Sequence, residues 1–348
     1  MNASVQVDLR PMIGAALLFA AAATAAGQCA AMDLPHLPRD GWVSWQVPAV
    51  DGAPAWCCFG DWRDTDQKGI CQLDEKDYGY GSRGRDDSAT QVRLYARFEG
   101  GTLKKLRALD AACPVNAAST IKPLTNVAVG DSARWVASQV QPHTGEKRSP
   151  ENRLSGDALA ALAMHQGNIA RDALTSIAHK DASIENRRNA LFWAAQVRGA
   201  EGIDIVTPSL FDDAEPKVRE HAAFALSQSQ KKSSKSVASL LIRAANSDRD
   251  GRVRSQAWFW LAQSKAPETE GAIRAALPKE TESRVREQAI FALSQLPPDR
   301  AAPALMAVAE DKTLAREERK RAIFWLGQMK SDQAVAYFDR LLTTTASR

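Results

Sequence analysis

The chain has 348 residues, of which 45% are hydrophobic and 25% charged, with a formal net charge of +4. These proportions exclude an intrinsically disordered chain, and so slight a basic excess excludes nucleic-acid binding, which needs a clustered basic face. The length suits two ordinary domains, or one domain followed by an elongated array.

In chain order, the first element is an apolar stretch from Met12 to Ala26, preceded by Arg10 and followed by small residues up to Ala31. This predicts a secretory signal peptide over residues 1–31, cleaved between Ala25 and Ala31. The run is shorter than the roughly 20 residues of a membrane span, so no stable span is expected after cleavage. Gln28 precedes Cys29 and argues against lipidation there. The chain is expected to be exported, periplasmic or secreted.

Export gives the remaining cysteines meaning. Cys57, Cys58, Cys71 and Cys113 form an even set within one third of the chain, which in an oxidising compartment predicts two disulfides. A bridge between the neighbours Cys57 and Cys58 is strained, so each is expected to pair with Cys71 or Cys113, and which pairs with which stays open. No CxxC occurs, and only His36 lies nearby, so a metal or redox site has little to build on.

Residues 32–141 read as a small β-rich domain. "GWVSWQVP" and "TQVRLYARFEG" alternate apolar and polar residues as strands do. "TLKKLRALDAACPV" predicts a further strand and "GDSARWVASQV" a short helix, while the Gly/Asp-rich "KDYGYGSRGRDDS" predicts a loop. Trp42, Trp45, Trp56 and Trp62 crowd around the cysteines. They are expected to pack over the disulfides, with a sugar or peptide platform as the alternative. Residues 142–154, polar and containing Pro and Gly, predict a linker.

From residue 155 onward the chain repeats itself. "RRNALFWAAQVRG", "VREHAAFALSQSQ", "VRSQAWFWLAQSK", "VREQAIFALSQLP" and "RKRAIFWLGQMKS" align on Ala190, Ala222, Ala257, Ala289 and Ala322. A degenerate copy places Ala160 in the same register. A period near 33 residues predicts a stacked helical solenoid, in which no unit buries its own apolar face. Second helices are expected in "KSVASLLIRAAN", "EGAIRAAL", "RAAPALMAVAED" and "DQAVAYFDRLL". The Val-Arg-x-x-Ala pattern after an acidic turn resembles the short HEAT repeats of the phycobilisome-lyase-like type. The resemblance implies a right-handed α-solenoid of five to six helix pairs, with the Val-Arg helix on the concave face. The fold expected for the whole chain is therefore mainly α, with the disulfide-stapled β-rich domain ahead of the solenoid.

Positions on the motif helix are counted here from the anchor alanine, at 100° per residue. Positions −4, 0, +3, +4 and +7 form a core stripe. Position +3 alternates Trp193, Ala225, Trp260, Ala292, Trp325, as large and small residues do when stacked units interdigitate. At −3, Arg187, Arg219, Arg254, Arg286 and Arg319 are expected to bond carbonyls or acidic turn residues such as Asp213 and Asp248, with an anion-binding strip as the alternative. The opposite face carries Phe192, Phe224, Phe259, Phe291 and Phe324 at +2, and Gln196, Gln228, Gln263, Gln295 and Gln328 at +6. Five wet phenyl rings forgo on the order of 10 kcal/mol. They are expected either to pack on each other, with the glutamines bonded along their row, or to be covered by a partner or by the N-terminal domain.

Some enzymes of this repeat class hold a di-iron centre on His-Glu pairs from successive helices. No His-Glu dipeptide occurs here; His221 follows Glu220 in reverse order and in one repeat only, and His165 and His179 are isolated. No GxSxG, P-loop or zinc-protease motif is present either. No cofactor, metal or catalytic residue is therefore expected. The expected role is an exported scaffold binding a protein or peptide on the Phe/Gln face. The alternative is an enzyme or small-ligand protein whose site lies in the N-terminal domain. Nothing in the sequence bears on oligomeric state.

Overall fold

The computed structural model describes residues 34, 37–59, 70–74, 79–82, 88–143, 149–229 and 234–346. The expected signal peptide, Cys29, His36, Trp62 and the side chain of Cys58 lie outside the described residues.

Strands β1 (Gly41–Pro48), β5 (Gln91–Glu99), β6 (Thr102–Asp110) and β8 (Ile121–Pro123) form one sheet in the order β6-β5-β1-β8. β1–β5 and β5–β6 are antiparallel, while β8 runs parallel to β1. Two small pairs accompany it: β2 (Trp56–Phe59) with β4 (Gly79–Ser82), and β3 (Cys71–Gln72) with β7 (Val115–Asn116). The stretch expected as a loop thus contributes β4, whose Gly79 and Gly81 face Phe59 and Cys57 across the ladder. Strand residues this rich in glycine carry no period-2 signal.

β1 is buried on both faces, so its apolar and polar residues do not alternate cleanly. On one face Trp42 joins Cys57, Cys71, Cys113, Leu73, Tyr95 and Leu109 in a small core. Cys57 is bridged to Cys113 across a separation of 56 residues, and Cys71 is also disulfide-bonded. Cys113 lies beyond the end of β6, not within it. Asp74 ties this end together. It accepts hydrogen bonds from Trp42 Nε1 at 3.0 Å, Arg97 at 2.6 Å and the Ala118 amide at 2.5 Å. Burial alone would raise its carboxyl, yet these donors hold it below its ordinary value. On the other face Val43, Trp45 and Val47 belong to the core that continues through the helices. Only Trp42 of the four tryptophans is described among the cysteines.

Short helix α1 (Val129–Ser138) precedes six helix pairs: α2 (Pro150–Met164) and α3 (Asn168–Lys180), α4 (Ile184–Val197) and α5 (Gly199–Asp212), α6 (Pro216–Gln228) and α7 (Lys235–Ser247), α8 (Gly251–Gln263) and α9 (Thr269–Ala276), α10 (Ser283–Ser294) and α11 (Pro298–Glu310), α12 (Arg316–Gly327) and α13 (Asp332–Ala346). The result is a mainly α solenoid preceded by a disulfide-linked β-rich region. α2 begins at Pro150, inside the stretch read as linker, with Ser149 capping the Asn152 amide. Ser183, Ser234 and Asp250 cap α4, α7 and α8 in the same way. Gly202 of α5 lies so close to α4 that an added Cβ would sit 2.1 Å from the Ala194 carbonyl, so a larger residue there would force the pair apart.

The motif helices α4, α6, α8, α10 and α12 are buried over a wider arc than the single stripe expected. Position +1 is core as well: Leu191, Ala223, Trp258 and Ile290 are all buried, with Trp258 only 1% exposed. Trp193, Trp260 and Trp325 at +3 are merely half-buried. Helices α4, α6, α8 and α10 each pack against their second helix and against both neighbouring motif helices, so more than one face must be apolar. Trp258 therefore takes the core place expected of Trp260.

The β-rich region and the solenoid share one core and a short backbone seam. Val50 donates its amide to Met164 O at 2.8 Å, and Gln166 donates to Pro48 O at 3.1 Å. Trp56 of β2 meets Trp193 of α4 edge to face at 5.4 Å. In the degenerate first copy, position +2 is Leu162, and Trp56 supplies the ring that this copy lacks. Trp56→Leu keeps an apolar filler but loses the ring pair, and chemical denaturation is expected to show about 1 kcal/mol less stability. An unchanged unfolding midpoint would mean that Trp56 caps nothing.

Candidate functional site

The five phenylalanines at +2 and the three tryptophans at +3 form one continuous ladder. Phe192 stacks on Phe224 at 5.9 Å and 5°, and Phe259 on Phe291 at 6.1 Å and 4°. Between these stacks, Phe224 meets Trp260 at 4.9 Å and Phe291 meets Trp325 at 4.9 Å. Within α4, α8 and α12 each Phe lies against its own Trp at 4.8–5.0 Å. The Trp/Ala alternation at +3 has a direct cause. Where the next copy carries Ala225 or Ala292, its Phe moves into a parallel stack; where it carries Trp260 or Trp325, the indole fills the gap. With Trp56 docked on Trp193, the ladder is closed at its β-region end. At the other end Phe324 is 51% exposed. The four rings from Phe192 to Phe291 are half-buried by one another, so the bulk of this apolar surface is covered by the chain itself.

Two of the glutamines at +6 bond within their own helix rather than along their row. Gln228 and Gln295 donate to the neighbouring hydroxyls of Ser227 and Ser294 at 3.1 Å, and those hydroxyls donate to Phe224 O and Phe291 O at 2.7 Å. Copies with Trp at +3 carry Ala195, Ala262 or Gly327 in place of the serine. Gln263, Gln295 and Gln328 are exposed, whereas Gln196 and Gln228 are half-buried. A second row went unremarked in the sequence: Asn189, His221, Gln256, Gln288 and Arg321 at −1. These lie two helical turns before the glutamines, on the same face, and a seven-residue spacing from +6 is the signal that finds them. His221 packs on Phe224 at 5.2 Å. Burial, and then Arg188, push its imidazole down to about 4.

The arginines at −3 are structural. Arg187 bonds Asp213, Arg219 bonds Asp248, Arg254 bonds Glu280 and Glu282, and Arg286 bonds Glu318. Each also donates to a carbonyl of the turn before its own helix: Asp181, Asp213, Asp248 and Glu280 respectively. Every guanidinium thus ties its own turn to the acid of the next unit. Asp248 bonding, offset in part by burial, raises Arg219 above its ordinary value. Burial tends to raise Glu280, but Arg254 holds it below. Occupied in this way, the ladder offers no free anion-binding strip between Arg187 and Arg286.

Two other places invite a chemical reading. Ser132 of α1 and His165 at the end of α2 lie 2.7 Å apart, Oγ to Nε2, the spacing of a nucleophile and its base. The Trp45 indole donates to the same Ser132 oxygen at 2.7 Å, and His165 Nδ1 lies 2.7 Å from Ala161 O. The bonding is consistent throughout if Nδ1 carries the proton and Ser132 donates to Nε2. Both residues are fully buried, and with Trp45 the pair joins β1, α1 and α2. Arg198, also buried, closes the same junction by donating to Ala163 O and His165 O at 2.9 Å. The second place is an apolar cavity of about 370 Å³ bounded by Leu34, Leu37, Phe98, Leu103, Trp135 and Gln139. A more polar one of about 310 Å³ adjoins the paired Arg254 and Glu280. Among the described residues no group of three metal-ligating side chains converges, and no helix is long and apolar enough to cross a membrane.

Burial pushes His165 down to about 4, against roughly 6.5 in an unfolded chain. Between these values the unfolded state binds the extra proton, so His165 costs stability as pH falls from 6.5 to 4. Asp157, pushed up to about 6 by burial against the pull of Arg107, acts with the opposite sign in an overlapping window. The difference between wild type and His165→Gln isolates the histidine. Urea titrations are expected to show about 2 kcal/mol less loss between pH 7 and pH 4.5 in the variant. Parallel losses would place the imidazole in contact with water.

A family model described as HEAT repeats matches residues 171–262 and 238–318. The solenoid has a HEAT-repeat fold. Among solved structures, human deoxyhypusine hydroxylase in complex with glycerol is 18% identical, over 60% of this chain and 88% of that one, with a TM-score of 0.24. Kap121p is 16% identical over 62% of this chain and 27% of its own, with a TM-score of 0.40. No curated protein matches the chain.

Proposed function

We propose that the chain is an exported, non-catalytic HEAT-repeat scaffold that holds a protein or peptide partner on its motif-helix face. One observation carries this reading: the exposed amides of Gln263, Gln295 and Gln328 run beside the ring ladder toward the open Phe324. The ladder is satisfied internally, so what this face offers a partner is a polar rail on a packed helical scaffold, with one apolar end. The Cys57–Cys113 bridge supports export, because structural disulfides persist in oxidising compartments.

The test is crosslinking in the native envelope followed by affinity purification, with wild type set against the Gln263→Ala/Gln295→Ala/Gln328→Ala variant. Specific partners are expected to disappear from the variant while its melting temperature stays that of wild type. An unchanged partner set would contradict the reading. A second reading, a small-ligand site in the N-terminal region, draws on the apolar cavity beside Trp135. It predicts instead that Trp135→Ala abolishes the interaction and the glutamine variant does not.

A further inference from the structure

We infer that the segment bound on the motif-helix face is an extended, uncharged stretch of polypeptide, gripped through its main chain. The inference rests on the docking role proposed above and specifies its chemistry.

In α8 and α10 two amide rows flank the ring ladder, Gln256 and Gln288 on one side and Gln263 and Gln295 on the other, all exposed. A primary amide carries both donors and an acceptor, which suits the N–H and C=O groups that an extended chain presents along its edges. Several charges on the same stretch of surface are paired within the chain. Glu287 is paired with Arg321 at 3.1 Å, Lys320 with Glu317 at 2.9 Å, and Arg252 with Asp250 at 3.0 Å. A segment without charge can settle here without breaking these pairs.

The ring geometry separates a peptide from a sugar. A saccharide ring needs an open aromatic face to stack on, but Phe259 and Phe291 turn theirs toward each other, with Trp260 and Trp325 against them. Where a ring edge meets a ligand, its positive rim attracts carbonyl oxygens. Neighbouring helices lie about 8–10 Å apart, so Gln263 and Gln328, two units apart, are separated by roughly 16–20 Å. That distance is the length of about five or six extended residues. An octapeptide is long enough to reach both.

The experiment uses the full chain and a fluorescein-labelled octapeptide alternating serine and valine. Comparison ligands are the same peptide N-methylated at every serine, octaglutamate, and cellohexaose. The parent peptide is expected to bind saturably, with affinity changing less than about twofold on raising salt past the point where exposed charges are screened. N-methylation is expected to weaken binding about tenfold or more, as loss of one or two hydrogen bonds does. The Gln256→Ala/Gln263→Ala/Gln288→Ala/Gln295→Ala variant should weaken the parent peptide to the same degree. Equal binding of the N-methylated peptide, preference for octaglutamate or cellohexaose, or no peptide binding at all would overturn the inference. If peptides fail while capture of native partners still depends on Gln263, Gln295 and Gln328, the docking role stands and its main-chain chemistry falls. If neither responds, both fall.

Discussion

Arg219→Ala is expected to cost about 3–5 kcal/mol of unfolding free energy, the usual penalty for breaking a buried ion pair from one side. The Arg219 side chain is 1% exposed and that of Asp248 4%, with guanidinium–carboxylate distances of 2.8 and 2.9 Å. The truncation strands the carboxylate and also frees Asp213 O, which accepts from the same guanidinium at 2.9 Å. Arg319→Ala is the comparison. Arg319 donates to Leu314 O at 2.5 Å, in the last helix pair described, and a loss of about 1 kcal/mol is expected. Urea denaturation of both variants makes the measurement. Similar losses at the two positions would mean that the arginines do not tie unit to unit.

Trp258→Ala is expected to cost a further 3–5 kcal/mol in its own right, by emptying a fully buried indole site between α7, α8 and α9. Trp260→Ala is expected to cost about half as much, because that ring is half-buried and its loss leaves a gap open to solvent beside Phe224. The sequence pattern predicts the reverse order, so this pair of variants discriminates sharply. A larger loss at Trp260 would restore the single-stripe picture of the motif helix.

Why the sequence ranks these two tryptophans wrongly is instructive. Periodicity finds the face that the units share, positions 0 and +4, because Ala recurs at the first in all five copies and Leu at the second in four. It does not find a second buried face created by stacking, since that face depends on how far apart neighbouring helices lie. Position +1 varies from Ala223 to Trp258 according to the room that each second helix leaves. The arginine ladder was legible down to Asp213 and Asp248, because a guanidinium at a helix start needs an acceptor in the adjoining turn. The ring row was legible as a row, but its closure by Trp56 was not. Trp56 and Trp193 are 137 residues apart in the chain, and only the backbone seam from Pro48 to Gln166 brings them together. β4 was missed for a plainer reason: glycine gives a strand no pattern to read.

The ladder also divides labour on the motif-helix face. Its rings hold units together, and the amides beside them face solvent. Phe259 and Gln263 lie one turn apart on α8, so a paired comparison of Phe259→Ala and Gln263→Ala tests this division most directly, by melting temperature and by retention of native partners on the same preparations. The account predicts that Phe259→Ala melts lower and retains partners in proportion to the fraction folded, while Gln263→Ala melts as wild type and loses them. Partner loss in folded Phe259→Ala with full retention by Gln263→Ala would contradict it.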